Sequence, residues 1–132
     1  MTTLLFRYSS STVPTAIVSR LRAITDLSIS DVRSRVHDNA TLVTITAFQN
    51  DWDEQRHLLV ELSRGIDDGS LPLVVSEQFG STESPVSPVM LKNLIQTFRG
   101  IEIDTQIEKA LEAGDIDDPA DFVDDSEDWT VR

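Results

Sequence analysis

Cysteine is absent from the 132 residues of this sequence, which excludes disulfide bonds and thiolate metal sites. The absence is compatible with a reducing compartment. Long apolar runs are also absent: no stretch approaches the roughly 20 apolar residues of a membrane-spanning helix. The first residues, MTTLLFRYSSS, lack the long apolar segment of a signal peptide. We therefore expect a cytoplasmic protein with no membrane partner.

Basic residues are scarce, with 11 Lys and Arg against 23 Asp and Glu and a formal net charge of −12. Residues 1–80 carry a net charge of −3, and residues 81–132 carry −9. A field of this sign repels phosphate groups, which disfavours direct binding to nucleic acids. It accelerates the encounter with a basic partner, although acidity can also serve only to keep a small protein in solution.

The residues and motifs that most enzymes use are few. Only two histidines occur, His37 and His57, and neither lies in an HExxH motif. The phosphate-binding glycine loop, the GxSxG motif and the dinucleotide-binding pattern are all missing. We predict a protein that is not an enzyme and that has no catalytic residue, metal or cofactor. The catalytic alternative is a small enzyme using His57 with Asp53 or Glu61, which lie one helical turn to either side.

The acidic stretch DIDDPAD, residues 115–121, does not follow the pattern of a calcium loop. Such a loop places oxygen ligands at alternate positions, then a glycine and a bidentate glutamate. Here Pro119 and Ala120 occupy places that need a ligand and the glycine. Asp118 and Pro119 instead indicate the start of a short helical turn that contains Asp121 and Phe122.

The N-terminal part of the chain alternates between the periodicities of strands and helices. Alternating apolar residues and β-formers predict three strands, over Thr3–Ser10, Thr41–Phe48 and Leu71–Phe79. Three helices are predicted between the strands, two in the first connection and one in the second. The expected buried positions are Ile17, Leu21 and Ile24 in the first helix, Ile29, Val32 and Val36 in the second, and Leu58, Leu59, Leu62 and Ile66 in the third.

Cap residues mark the ends of these helices. Pro14 suits the first turn of the first helix, and Ser28 suits the N-cap of the second. Asp51 and Glu54 have the spacing of a capping box at the start of the third helix.

The C-terminal part begins with a polar, proline-bearing connector over Gly80–Pro88, the best candidate for a domain boundary. One helix is predicted from Ser87-Pro88 to Gly100, and a second from the capping box at Thr105 to Gly114. The chain is therefore divided into a domain at 1–80, a helical extension at 81–114 and an acidic tail at 115–132. We expect the tail to stay disordered until something holds it.

The stretch LRAITDLSISDVRSRV, Leu21–Val36, resembles the helix–helix signature in the C-terminal domain of the bacterial ribosomal stalk protein. The positions that match in kind and spacing are Leu21, Arg22, Ile24, Thr25, Leu27, Ile29, Val32 and Val36. The resemblance covers residues 3–79 and implies an α+β fold in the order β-α-α-β-α-β. In that fold a three-stranded antiparallel sheet is covered on one face by three helices.

Departures from the family limit what the resemblance implies about function. Where the family has two glycines and following lysines in the surface that docks translational GTPases, this sequence has Asp26, Ser28 and Ser30. The charge has moved from basic to acidic or neutral. The resemblance therefore implies a shared fold and not a shared role.

The best functional prediction is an acidic binding protein, such as a small inhibitor or immunity-type protein that neutralises a basic partner, for example a nuclease toxin. Acidic groups steer the approach of a basic protein, and aromatic residues contribute most to affinity. The predicted binding residues are Asp115, Asp117, Asp118, Asp121, Phe122, Asp124, Asp125, Glu127, Asp128 and Trp129. The alternative for Phe122 and Trp129 is that they fasten the tail to its own domain.

Two further arrangements are compatible with the sequence. An adaptor associated with the ribosome or with translation factors would present Arg20, Arg22, Arg33 and Arg35 as an exposed basic strip. The apolar helix Val89–Phe98 is costly to leave in water, so we expect it to pack on the sheet or on a second copy, which would give a homodimer.

Overall fold

The computed structural model describes residues 2–49, 51–124 and 128–130, and within them it shows an α+β fold with four helices and a four-stranded antiparallel sheet. The strands lie in the order β2-β1-β3-β4. In chain order the elements are β1 Thr3–Tyr8, α1 Thr15–Ile24, α2 Ile29–His37, β2 Val43–Thr46, α3 Trp52–Asp67, β3 Leu73–Phe79, β4 Thr82–Val86 and α4 Pro88–Ala113, followed by a 3₁₀ turn at Pro119–Asp121. The predicted α+β class is confirmed.

One face of the sheet carries the core. Leu4 pairs with Ile45 and Phe6 pairs with both Val43 and Val75, so these side chains share a face, and all five are buried. The opposite face bears polar residues on neighbouring strands. Thr3 lies beside Thr46, and the Arg7 guanidinium pairs with Glu83 at 2.9 Å; Thr44, Gln78 and Pro85 share this face.

The predicted break between the first two helices is confirmed. Helix α1 ends at Ile24, and α2 begins after Ser28, whose hydroxyl accepts the Asp31 backbone N–H at 3.1 Å. Val32 and Val36 are buried as predicted, but the prediction for Ile29 was wrong because its side chain is exposed. Ile29 is the first residue of α2, where the chain turns from the break and leaves this position at the surface.

Helix α3 begins at the predicted place but without the predicted capping box. Asp51 is the N-cap residue, yet its side chain makes no capping hydrogen bond. Leu59 and Leu62 are buried in the core, whereas Leu58 and Ile66 are partly buried and pack against it. The helix is therefore positioned by its apolar face rather than by its first turn.

The count of three strands was wrong, because the predicted connector Gly80–Pro88 contains β4. Gly80 has a φ of 58° at the turn, and β4 then pairs antiparallel with β3 from Phe79↔Thr82 to Val75↔Val86. Pro85 does not prevent this pairing because β4 is an edge strand. The division of the chain at 1–80, 81–114 and 115–132 stays a prediction.

The two helices predicted after the connector are one helix. Helix α4 runs through Gly100 for 26 residues, and the hydroxyl of Thr105 donates to the Ile101 carbonyl inside the helix instead of capping a new one. Ser87 caps the start as predicted, and Gly114 closes the end with a φ of 77°. A single glycine weakens a helix interior by about 0.5–1 kcal/mol, which packing of the flanking turns outweighs.

The first half of α4 packs on this chain's own core. Leu91, Ile95 and Phe98 are buried, and α4 lies against α3. Val89 and Met90 are the exposed apolar residues of this segment. A homodimer through the helix stays a prediction. No helix in the described ranges combines the length and the apolar content needed to span a bilayer.

Candidate functional site

A run of exposed acidic side chains lies in the second half of α4 and in the segment that follows. Six exposed carboxylates define it and are called the acidic face: Asp104, Glu108, Glu112, Asp115, Asp117 and Asp121. None of the six makes an ion pair with another described residue. Residues 101–124 hold nine acidic residues and one basic residue, Lys109.

The other residues predicted to bind a partner do not belong to the acidic face. Asp118 is exposed and accepts the Ala120 backbone N–H at 2.9 Å, which starts the predicted short turn. Phe122 is half-buried, and Val123 beside it is 79% exposed. Asp124 and Asp128 make the contacts described below. Asp125 and Glu127 lie outside the described residues.

The segment after α4 returns to the middle of that helix. Asp124 Oδ2 accepts a hydrogen bond from Arg99 Nη2 at 2.6 Å, and the Arg99 residue is only 6% exposed. Trp129 contacts Glu102, one turn further along α4. The expectation of a tail without fixed structure is therefore corrected for residues 115–124 and 128–130, because an ion pair and a buried indole hold them against the helix.

Trp129 is inserted among aromatic side chains and is 1% exposed. Its ring meets that of Trp52 edge to face, with centroids 5.8 Å apart. Trp52 is in turn 5.7 Å from Phe98 and 5.1 Å from Phe48. These contacts join the start of α3, the middle of α4 and the C-terminal segment into one cluster.

Two charged residues, Arg56 and Glu102, complete the surroundings of the Trp129 ring. Together with Trp52 they form what we call the Trp129 seat. Glu102 Oε1 accepts the indole N–H at 2.6 Å, while its Oε2 accepts from Arg56 Nη1. The Arg56 guanidinium carbon lies 5.6 Å from the centroid of the Trp129 ring, a cation–π distance. Glu102 therefore satisfies two donors that the fold buries.

Two buried polar atoms of the seat, the indole nitrogen of Trp52 and Arg56 Nε, find no hydrogen-bond partner among the described residues. An unmade hydrogen bond of a buried donor costs about 1–3 kcal/mol. A buried tryptophan contributes about 3–5 kcal/mol, which is of the same order as the two unmade bonds together.

Hydrogen bonds lower the pKa of Asp128, which precedes the buried indole. The Thr130 hydroxyl and then the Thr130 backbone N–H, both donating to Asp128 Oδ1, hold the pKa of this carboxyl below its ordinary value. The bonds favour the ionised form. They also fix the turn that places Trp129.

Sequence reasoning missed the residues of the seat, although spacing offered a signal. Glu102 continues the apolar series Leu91, Ile95, Phe98 at a helical interval, so its carboxylate falls on the inner stripe of α4. Arg56 occupies the same kind of position in α3, between Trp52 and Leu59. Charged residues at buried positions are paired as a rule, and that rule predicts partners for both.

The two histidines lie on different helices, His37 on α2 and His57 on α3. His37 is exposed, with Nδ1 3.2 Å from Asp38 Oδ1, and His57 is half-buried on α3. Open clefts lie between α3 and α4, at the start of α3 and beside β2, and neither histidine lines any of these three. Among the described residues, no group of three or more acidic or histidine side chains is arranged to hold a metal ion.

The four arginines predicted as a basic strip do not share one exposed surface. Arg35 is half-buried and donates to the carbonyls of Thr41 and Leu42, and Arg20, also half-buried, donates to the Ser70 hydroxyl. Arg22 and Arg33 are exposed. The break between α1 and α2 therefore presents two exposed arginines rather than four.

Comparison with known proteins identifies no relative: no family model, curated protein or solved structure matches the chain.

Proposed function

We propose that the protein is a non-enzymatic inhibitor of the immunity type, which binds and neutralises a basic protein partner, such as a nuclease toxin, through the acidic face. The observation that carries the proposal is the set of six exposed carboxylates with no cationic partner among the described residues. Uncompensated charge of one sign steers an oppositely charged partner and discriminates against others.

The anchoring of the segment after α4 supports this proposal. The segment begins at Gly114, which ends α4. Its far end is held by the Arg99–Asp124 ion pair and by Trp129. A surface that is ordered before binding does not lose that conformational entropy on association. Trp129 then serves as an internal anchor. Among the described residues after Gly100, Ile101 and Val123 are large apolar side chains that stay exposed and could contact a partner.

The proposal is tested by capture of tagged protein from its native cells, with identification of bound proteins. The variant Asp115→Asn/Asp117→Asn/Asp121→Asn removes three charges of the acidic face. The matched control Asp31→Asn/Asp38→Asn/Glu77→Gln removes three charges elsewhere. We expect one predominant basic partner, at least tenfold weaker capture by the first variant, little change with the control, and weaker capture at high salt.

A second readout separates an inhibitor from a passive binder. The captured partner should lose its own activity when the wild-type protein is added, and regain it with the acidic-face variant. Equal capture by the test and control variants would contradict the proposal. Recovery of ribosomes or elongation factors would instead favour the alternative of an adaptor associated with the ribosome or with translation factors.

A further inference from the structure

A second surface, separate from the acidic face, lies at the open edge of the sheet. Strand β2 is the last strand in the order β2-β1-β3-β4. The Ala47 N–H donates to the Thr2 carbonyl across the register pair Thr3↔Thr46. In an antiparallel ladder bonded and non-bonded pairs alternate, so Thr44 and Thr46 direct their backbone N–H and C=O groups away from β1.

Hydrogen bonds within the described part of the chain engage the backbone carbonyls at the two ends of this edge but not the backbone of Thr44 at its centre. Arg35 donates to the carbonyls of Thr41 and Leu42 at 3.3 Å, and the Gln49 N–H donates to the Thr46 carbonyl at 3.4 Å. Outside the sheet ladder, no described residue bonds to the backbone of Thr44, and this residue is exposed. Both of its backbone groups are therefore available to another chain.

A cleft of about 420 Å³ runs beside this edge, between the α1–α2 break and the first turns of α3. Its apolar lining comes from Ile24, Leu27 and Leu58, which are all partly buried, and from the buried Leu42 and Val43. Asp26 and Glu54 also line it, both exposed, and no basic residue does. The cleft thus combines apolar side chains with two carboxylates.

We propose that this edge and cleft bind an extended segment of a partner protein, which adds to the sheet as a fifth strand beside β2. The segment pairs its backbone with Thr44 and places one apolar side chain in the cleft. Side chains at i and i+2 share one face of a strand. A Lys or Arg two residues before and two residues after the apolar residue therefore faces Asp26 and Glu54. Strand addition derives its affinity from the backbone and its specificity from alternate side chains.

The charges disfavour a second copy of this chain as the occupant. Antiparallel pairing of two β2 strands would extend both sheets with their helices on the same face. The acidic groups of the two clefts, Asp26 and Glu54 in each copy, would then approach each other, and like charges at such a junction are unfavourable. A basic extended segment has the opposite preference.

The test uses the full chain, labelled with ¹⁵N, and the acetylated, amidated peptide Ser-Thr-Lys-Thr-Leu-Thr-Lys-Thr-Ser. We expect saturable shifts of the Thr44 and Thr46 amide resonances and slower hydrogen exchange at Thr44. A peptide with Glu in place of both Lys residues should bind at least tenfold more weakly. A peptide N-methylated at alternate residues on the pairing edge should lose binding, because those backbone donors are removed.

Protein variants locate the site. Thr44→Pro removes the outward N–H at an edge position that tolerates proline, and should reduce affinity at least tenfold. Asp26→Asn/Glu54→Gln should reduce it about three- to tenfold, the range for two exposed charge pairs, while Asp31→Asn/Glu77→Gln should leave it unchanged. If Thr44→Pro does not fold, the N-methylated peptide reports on the same hydrogen bonds.

The proposal is overturned if the Lys and Glu peptides bind equally, if the shifts map to the acidic face, or if β2 forms a dimer without peptide. These outcomes do not depend on capture of a basic partner by the acidic face. The two proposals can therefore fail separately.

Discussion

Trp129 donates its indole N–H to Glu102 Oε1 at 2.6 Å, across 27 positions of the chain. This bond joins the C-terminal segment to the middle of α4, and Arg56 of α3 binds the other oxygen of the same carboxylate. A segment with an acidic, hydrophilic composition is thereby held by Trp129, which is 1% exposed, together with the Arg99–Asp124 ion pair. The first two predictions concern this relationship.

Trp129→Ala should destabilise the protein by about 3 kcal/mol, the low end for a buried tryptophan, because it empties the seat and releases the segment. Trp129→Phe should cost less, since it keeps an aromatic ring and loses the bond to Glu102. Urea unfolding at several protein concentrations measures both changes. An unchanged midpoint for Trp129→Ala would show that the indole does not pack as described.

Glu102→Leu should destabilise the protein by about 3 kcal/mol, because it removes the closer of two carboxylates from the largely buried Arg56 side chain. The remaining partner, Asp53, lies 3.6 Å away and is exposed. Adding Arg56→Met should recover part of that loss, and the double-mutant cycle in urea measures the coupling. The control Glu83→Gln, which breaks an exposed pair with Arg7, should cost at most about 1 kcal/mol. Additive effects of the first two substitutions would contradict the pairing.

Gly100→Ala should stabilise the protein by about 0.5–1 kcal/mol, because α4 is continuous there and an added Cβ meets nothing within 4 Å. Gly65→Ala in α3 should destabilise it by about 1–3 kcal/mol, since its Cβ would lie 2.5 Å from Leu71 Cδ1. Thermal unfolding of both variants compares them. Destabilisation by Gly100→Ala would indicate that α4 is broken at this position.

Ser28→Ala should cost about 1 kcal/mol, because it removes the acceptor for the Asp31 N–H at the start of α2. Asp51→Ala should cost less, because this N-cap side chain makes no capping hydrogen bond. Chemical denaturation gives both values. The opposite ranking would contradict the caps described for α2 and α3.

The Glu83 carboxylate should titrate below its ordinary pKa of 4.5, because hydrogen bonds from the Arg7 guanidinium favour its charged form. Since the folded-state pKa is lowered, this group's contribution to stability is present above the unfolded-state pKa and is lost as the pH falls through the folded value. Carboxyl ¹³C chemical shifts follow the titration. Arg7→Gln should return the pKa of Glu83 towards its ordinary value, and an unshifted curve in the wild type would contradict the pair.

Local patterns identified most elements correctly, and the errors have a common cause. The strand alternation of β1, the Ser28 cap and the Gly114 terminus depend on neighbouring residues, so they are visible in the sequence. Gly100 and the Gly80–Pro88 stretch have the composition of chain breaks. Residues 82–86 nevertheless form a strand because they pair with β3. Helix α4 continues through Gly100 because it packs on α3.

The sequence alone determined the α+β class, the acidic C-terminal third and the lack of enzyme motifs, because periodicity, charge and residue type are properties of the chain itself. Only the tertiary structure decided that Trp129 is an internal anchor, that Arg56 and Glu102 receive it, and that Thr44 lies at an open edge beside an acidic cleft. Those relationships join residues that are far apart in the chain. They depend on how the helices and strands pack, which no local pattern specifies.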